Sequence, residues 1–274
     1  MLPKISIITP TLNQVQFIEQ TIKSVLSQGY ENLEYIVIDG GSNDGTIDIL
    51  RRYENSLFWQ SEPDKNQVDA INKGFKQATG DIITYLNSDD YYEPGALLTI
   101  GAFFLNNPSS NIVTARCHNV NLHGNKTRRL ITHYKNFLLS INHPNLLKIC
   151  NYIAQPSTFF RRSLIEKYGF FNLGYRYAMD YDYWLRVNQK EKIYVINKYL
   201  SNFRIYPSSI TSSNSKAQFK EEYVVASHYS NAFLRFLHKV HTSPSYWFSK
   251  LLNIKKRLIT LSKWIDLLCI NLKY

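Results

Sequence analysis

Ile82-Ile83-Thr84-Tyr85-Leu86-Asn87-Ser88-Asp89-Asp90 is the stretch on which the reading of this chain turns. Ile82 to Leu86 is a short apolar run rich in β-branched and aromatic residues, bounded by Gly80-Asp81 and by an Asn-Ser-Asp-Asp cluster, as expected of a buried strand that runs into a polar loop. In open α/β sheets, ligands collect at the carboxyl ends of the strands. Two adjacent carboxylates at such an end suit a hard divalent cation with oxygen ligands, and Mg²⁺ or Mn²⁺ is expected because neither Cys nor His stands beside the pair. The plainer alternative is that Asn87-Ser88-Asp89-Asp90 only caps a helix beginning near Pro94.

On either side of this strand the pattern repeats. Ile5-Ser6-Ile7-Ile8 reads as a strand, and Phe17, Ile18, Ile22, Val25 and Leu26 then recur at helical spacing. Leu33 to Ile38 is a second strand ending in Asp39-Gly40-Gly41-Ser42-Asn43-Asp44-Gly45-Thr46, followed by a helix from Thr46 to Arg52. Leu57 to Gln60 reads as a third strand, with helices near residues 68–78 and 95–105 on either side of the Ile82–Leu86 run. Strands alternating with helices predict an α/β fold, a mostly parallel sheet with helices on both faces, whose loops open on one edge. Thr9-Pro10-Thr11-Leu12-Asn13 is neither G-x-x-x-x-G-K-[ST] nor G-x-G-x-x-G, which weighs against ATP hydrolysis and hydride transfer. Asp39 with Gly40 and Gly41 instead offers a carboxylate beside backbone that a base or ribose can approach closely.

Charge is unevenly distributed over the 274 residues, whose net charge is +11. Lys and Arg against Asp and Glu number 7 to 14 over residues 1–110, 15 to 4 over 111–214, and 10 to 3 over 215–274. The basic parts suit phosphate, an anionic acceptor or a membrane surface. Nucleic acid is not expected, because no zinc finger, RNP sequence or basic-leucine pattern is present. Cys117, Cys150 and Cys269 are odd in number and widely spaced, so a reducing compartment fits better than a disulfide framework. Met1-Leu2-Pro3-Lys4 lacks the pattern of a signal peptide, and a cytoplasmic location is expected.

The loops, taken as an ordered set, resemble family 2 glycosyltransferases. The matching stretches are Thr9-Pro10-Thr11-Leu12-Asn13, Asp39 to Thr46, Ser61-Glu62-Pro63-Asp64-Lys65, Asn72-Lys73-Gly74, Asn87-Ser88-Asp89-Asp90, Gln155-Pro156-Ser157 and Asp180-Tyr181-Asp182-Tyr183-Trp184. The resemblance covers roughly residues 4–211 and is similar to colanic-acid and O-antigen type members. It implies a GT-A fold with a nucleotide-sugar-binding α/β half over 1–110, an acceptor-binding half over 111–214 and a helical C-terminal extension over 215–274. It further implies that Thr9, Thr11, Asp39 and Gly41 bind the donor, and that Asp89 and Asp90 form the D-x-D-type site for metal and ribose. Which of the two ligates the metal is left open by the sequence. Lys73 is placed against donor phosphate, or else on a solvated helix surface. Asp180, with Asp182 second, is placed as the general base of an inverting reaction that adds one hexosyl unit to a saccharide or lipid-linked acceptor in polysaccharide or lipopolysaccharide synthesis. Capping of its own helix is the alternative for Asp180. The family's first acidic position is Asn87 here and a frequent His is Tyr206, so a degenerate nucleotide-sugar-binding or scaffold protein is the competing reading.

Asn125-Lys126-Thr127-Arg128-Arg129 reads as a hairpin tip or exposed loop, and residues 133–152 as an acceptor loop or a kinked helix. Beyond residue 214 the chain reads as helical to its end. Over 244–274 a Trp247-bearing apolar stripe is interrupted by Lys and Arg, too charged to cross a bilayer but suited to lying on the inner face of the cytoplasmic membrane. Packing on the catalytic part, or on a second copy as a homo-oligomer, is the alternative.

Overall fold

The computed structural model describes residues 1–242, so the stripe expected over 244–274 lies outside the described residues. In chain order the first half is β1 (Ile5–Thr11), α1 (Ile18–Leu26), β2 (Leu33–Asp39), α2 (Thr46–Arg52), β3 (Phe58–Ser61), α3 (Gln67–Gln77), β4 (Ile82–Tyr85), β5 (Tyr91–Tyr92) and α4 (Ala96–Asn106). The second half is β6 (Ile112–Val120), α5 (Arg129–Ile141), α6 (Pro144–Ile149), β7 (Thr158–Arg161), α7 (Ser163–Tyr168), α8 (Met179–Val187), β8 (Ile193–Arg204), α9 (Ile210–Ser213) and α10 (Ser215–Tyr229). Residues 232–242 are again helical.

All the strands belong to one sheet of order β3-β2-β1-β4-β7-β6-β8-β5. Its first four strands are parallel, as βα alternation demands; β7 then runs antiparallel to both β4 and β6, while β8 returns parallel to β6. The strands alternate their side chains between two cores. On β1, Ile8 packs with Val68, Ile71 and Phe75 of α3 and with Trp184 of α8, whereas Ile5 and Ile7 pack with Ile18, Ile22 and Val25 of α1 and with Leu97 and Ile100 of α4.

The β4–β5 connection curls the sheet. Six residue steps from Tyr85 to Tyr91 reach at most about 21 Å, close to the roughly 19 Å of four strand spacings in a flat sheet. Part of that reach is spent in a turn closed by the Asp90 N–H donating to the Asn87 carbonyl at 3.0 Å. β5 nonetheless pairs with β8 at the far edge, so the sheet must bend round. That bend brings the end of β8 over the Asn87–Asp90 turn.

Four expectations are refined. The turn does not cap a helix, since α4 is preceded by Gly95 in the left-handed region with no side-chain cap. The basic stretch 125–129 closes a turn bridged by Val120 and Lys126 and then enters α5 at Arg129. Residues 133–152 are two helices, α5 and α6, separated at Asn142-His143, because Pro144 has no N–H and cannot continue α5. The expected continuous helix beyond 214 is likewise interrupted at Ser230, whose backbone is extended.

Candidate active site

A cleft of about 1650 Å³ lies at the carboxyl ends of β1 and β4, lined among others by Thr11, Gly40, Asn87, Asp89, Asp180 and Glu222. On the β1 and β2 side, two polar loops are laced together. Asn13, left-handed at φ 53°, donates its N–H to Ser42 Oγ at 2.7 Å, and its Oδ1 accepts the Asn43 N–H at 2.9 Å. Asp39 anchors this frame: its carboxylate accepts the N–H groups of Gly41 (3.0 Å) and Ser42 (2.9 Å) and the hydroxyls of Ser42 (2.5 Å) and Ser61 (2.6 Å). The tight turn requires φ 89° at Gly41, which glycine adopts without strain. Asp39 and Thr9 are both fully buried, and Thr9 shares a hydrogen bond with Tyr35. They shape the pocket wall, while Thr11 and Gly40 line it. The Thr11 hydroxyl is buried without a hydrogen-bond partner.

Lys73 is held in an ion-pair cluster. Its ammonium pairs with Asp64 at 2.5 Å and Glu62 at 2.8 Å, with Asp69 at 3.7 Å, so it neutralises the acidic 62–69 loop. These carboxylates hold the lysine pKa above its ordinary value.

The two adjacent aspartates separate cleanly. Asp89 lines the cleft, and its Oδ2 accepts the Tyr206 hydroxyl at 2.9 Å. Asp90 is fully buried beneath it, with Oδ1 accepting the Arg204 N–H at 2.8 Å. Burial raises the pKa of both carboxyls, Asp90 well above the ordinary range and further through the Asp89 charge. Arg204 braces the turn: Nε donates to the Asp89 carbonyl (2.8 Å), Nη1 to the Leu122 carbonyl (2.8 Å) and Nη2 to Gln20 (2.7 Å), with its guanidinium 4.7 Å from the Phe17 ring centre. Among the described residues no cluster of three His, Cys, Asp or Glu forms a metal cage. The donor set nevertheless fits Mg²⁺ or Mn²⁺, which is commonly held by one or two carboxylates together with substrate phosphates. Asp89 is the carboxylate placed to do so.

Asp180, which also lines the cleft, stands in the first turn of α8. Asp180 does not cap the helix from outside; its Oδ1 accepts the neighbouring Tyr181 N–H at 2.7 Å. Burial pushes its carboxyl up to about 6, with Lys135 opposing and Glu221 adding to the rise. Asp182 faces away, its Oδ2 paired with Arg186 (2.8 Å) and its Oδ1 accepting the Tyr229 hydroxyl (2.8 Å). Trp184 is packed in the core.

Glu221, Glu222 and Asn151 carry no recognisable sequence signal, whereas Gln155 stands in one of the matching stretches. Glu221 of α10 accepts the N–H groups of Tyr177 (2.6 Å) and Ala178 (2.7 Å), tying down the entry to α8 that has no side-chain cap of its own. Its neighbour Glu222 is buried in the cleft wall, accepts Gln218 Nε2 at 3.0 Å, and is pushed up to about 7, chiefly by burial and also by Asp180. Gln155 and Asn151 line the cleft; Gln155 donates to the Tyr85 carbonyl at 2.5 Å, and its Oε1, like Asn151 Oδ1, is buried without a hydrogen-bond partner. Buried polar atoms without partners are uncommon in native proteins.

Comparison with known proteins agrees with this geometry. The model of "Glycosyl transferase family 2" matches residues 6–169. An uncharacterised glycosyltransferase of Mycobacterium tuberculosis is 41% identical over 92 residues, which is 33% of this chain and 35% of that relative, so the chain matches about a third of its length. Among solved structures, Staphylococcus aureus TarS 1-349 in complex with UDP-GlcNAc superposes with a TM-score of 0.64 at 20% identity, covering 81% of this chain and 65% of that one. The mannosyltransferase PcManGT from Pyrobaculum calidifontis, in complex with GDP-Man and Mn²⁺, gives 0.66 at 19% identity, covering 87% and 69%. Matched over more than half its length by the family model and sharing this curled α/β architecture, the chain belongs to glycosyl transferase family 2 and has the GT-A fold.

Proposed function

We propose that this protein is an inverting glycosyltransferase that moves one sugar from a nucleoside-diphosphate donor to an acceptor hydroxyl on a lipid-linked saccharide, working at the inner face of the cytoplasmic membrane in surface-polysaccharide or lipopolysaccharide assembly. The observation that carries this reading is that Asp89 and Asp180, far apart in sequence, line the same cleft together with Thr11 and Gly40. The donor enters against Thr11 and Gly40, with Asp39 and Gly41 keeping the loop in shape behind them. Asp89 would hold Mg²⁺ or Mn²⁺, and the cation would supply charge stabilisation for the leaving diphosphate without proton transfer. Asp180 accepts the proton of the attacking hydroxyl, and a base with a pKa near 6 is mostly ionised at neutral pH yet basic enough to assist. Attack opposite the leaving group inverts the anomeric centre. Asp182, held by Arg186 and Tyr229, orients α8. UDP is the first nucleotide to test, because the fold neighbour TarS was solved with UDP-GlcNAc.

The test is thermal unfolding with UDP-, GDP- and dTDP-sugars, with and without Mn²⁺, on wild type and Asp89→Ala. Stabilisation by one donor that needs the metal and disappears in the variant supports the reading. No stabilisation by any donor would sink it. A second reading, binding without turnover, is favoured by the Tyr206 hydroxyl on Asp89 and by Asn87 in place of an acid. It predicts metal-dependent stabilisation but no release of nucleoside diphosphate from any donor and acceptor tried.

A further inference from the structure

The cleft adjoins a surface that nothing above uses, since Arg128, Ile131 and Tyr134 line it. On α5, Leu130, Tyr134, Phe137 and Ile141 recur at steps of four, three and four, which places them on one helix face. They are strongly exposed, Leu130 at 79% and Phe137 at 62%. In the helical 232–242 segment, Phe233 (66%), Phe236 (61%) and Val240 (49%) form a second exposed row. The two helices meet where the Tyr134 hydroxyl lies 2.8 Å from His241 Nε2, and His238 Nδ1 bonds the Lys148 carbonyl of α6 at 3.1 Å, fixing the segment on the body. Exposed aromatic rows of this kind are unusual on a surface that stays in water.

Charge identifies what covers them. Residues 94–165 contain eight Lys and Arg and no Asp or Glu, and residues 223–242 contain Arg235 and Lys239 and again no acid. Arg128, Arg129, Arg235 and Lys239 are exposed around the apolar rows. Apolar side chains set among cations, with no anion between them, complement an anionic lipid surface: the rings enter the headgroup boundary and the cations meet the phosphates. A second copy of the chain would bring the same unbalanced cations against one another. Arg128, Ile131, Tyr134 and Val240 also line the cleft, so its mouth lies at this face.

We propose that α5 and the 232–242 segment together form a docking face for an anionic lipid bilayer, which sets the cleft at the membrane surface. The inference rests on the lipid-linked acceptor of the preceding section for its purpose, but vesicle binding is measured with neither donor nor acceptor present. The two therefore fail separately.

The experiment is co-sedimentation of the full chain with vesicles of phosphatidylcholine alone or mixed equally with phosphatidylglycerol. The expected result is binding to the mixed vesicles that weakens with salt and is at least about tenfold weaker on pure phosphatidylcholine. Phe137→Asp/Phe233→Asp/Phe236→Asp, whose side chains lie outside the cleft, is expected to lose roughly a hundredfold in affinity while keeping its thermal midpoint. Arg129→Glu/Arg235→Glu/Lys239→Glu, which leaves the aromatics intact, is expected to fall by at least about tenfold. Absence of wild-type binding, or binding as tight as wild type by either triple variant, would overturn the proposal. So would concentration-dependent dimerisation abolished by the aromatic variant without any vesicle binding, which would make this face a contact between copies.

Discussion

Replacing Asp180 by Asn should stabilise the protein while removing its activity. The carboxyl titrates near 3.8 in an unfolded chain and near 6 in the fold, chiefly because burial disfavours its charge. The sign follows from proton uptake: below about pH 4 the group is neutral in both states and costs nothing, whereas above about pH 6 the folded state carries a disfavoured charge. At 1.36 kcal/mol per pH unit the ionised form costs about 3 kcal/mol, and water in the cleft reduces this to about 2 kcal/mol. Asn has the same shape, and its Oδ1 can still accept the Tyr181 N–H. Relief of about 2 kcal/mol corresponds to a rise of about 4–8 °C in Tm for a domain of this size. Thermal unfolding followed by circular dichroism at pH 7.5 and pH 4 is the assay. Asp180→Asn should melt higher at pH 7.5, and the gap should close at pH 4. In the same variant, transfer should fall by about 10²–10⁴-fold, and wild-type kcat/KM should drop about tenfold per pH unit below pH 6. Equal melting at both pH values, or a lower Tm for the variant at pH 7.5, would refute the argument that Asp180 is a desolvated charge held for chemistry.

Asp89→Ala should abolish metal-dependent donor stabilisation with a Tm within about 2 °C of wild type, whereas Asp90→Ala should cost about 1–3 kcal/mol in urea unfolding, because the buried Arg204 N–H loses its acceptor. Glu221→Ala should cost about 1 kcal/mol by releasing the Tyr177 and Ala178 N–H groups, and should lower kcat more than donor affinity because α8 carries Asp180; unchanged kcat would show that the tie does not position the base. Gly74→Ala should destabilise by about 1–3 kcal/mol in the same urea assay, since an added Cβ runs into the Ile8 side chain where α3 crosses β1.

Some of this was legible in the chain because it depends on neighbours in sequence. The βα alternation of residues 5–105, with helices of period 3.6 and strands buried on both faces, follows from local patterning, and the ordered loops name the family. Local patterning was least informative over 125–152, where the structure instead resolves one turn and two short helices. The GT-A fold was therefore within reach of the sequence alone.

What the tertiary structure decided are the roles that depend on contacts between distant segments. Asp39 reads as a ligand in the sequence, yet Ser61, 22 residues on, helps turn it inward as a loop anchor. Asp89 and Asp90 are indistinguishable as neighbours; the end of β8, more than a hundred residues later, separates them by placing Tyr206 on one and the Arg204 backbone on the other. Glu221 and Glu222 look like ordinary helix-surface acids until α10 packs on α8 and carries them to the entry of α8 and the cleft wall. Local sequence carries the periodicity that builds strands and helices, but which carboxylate keeps a free oxygen for a ligand is settled only when the sheet curls and distant donors arrive.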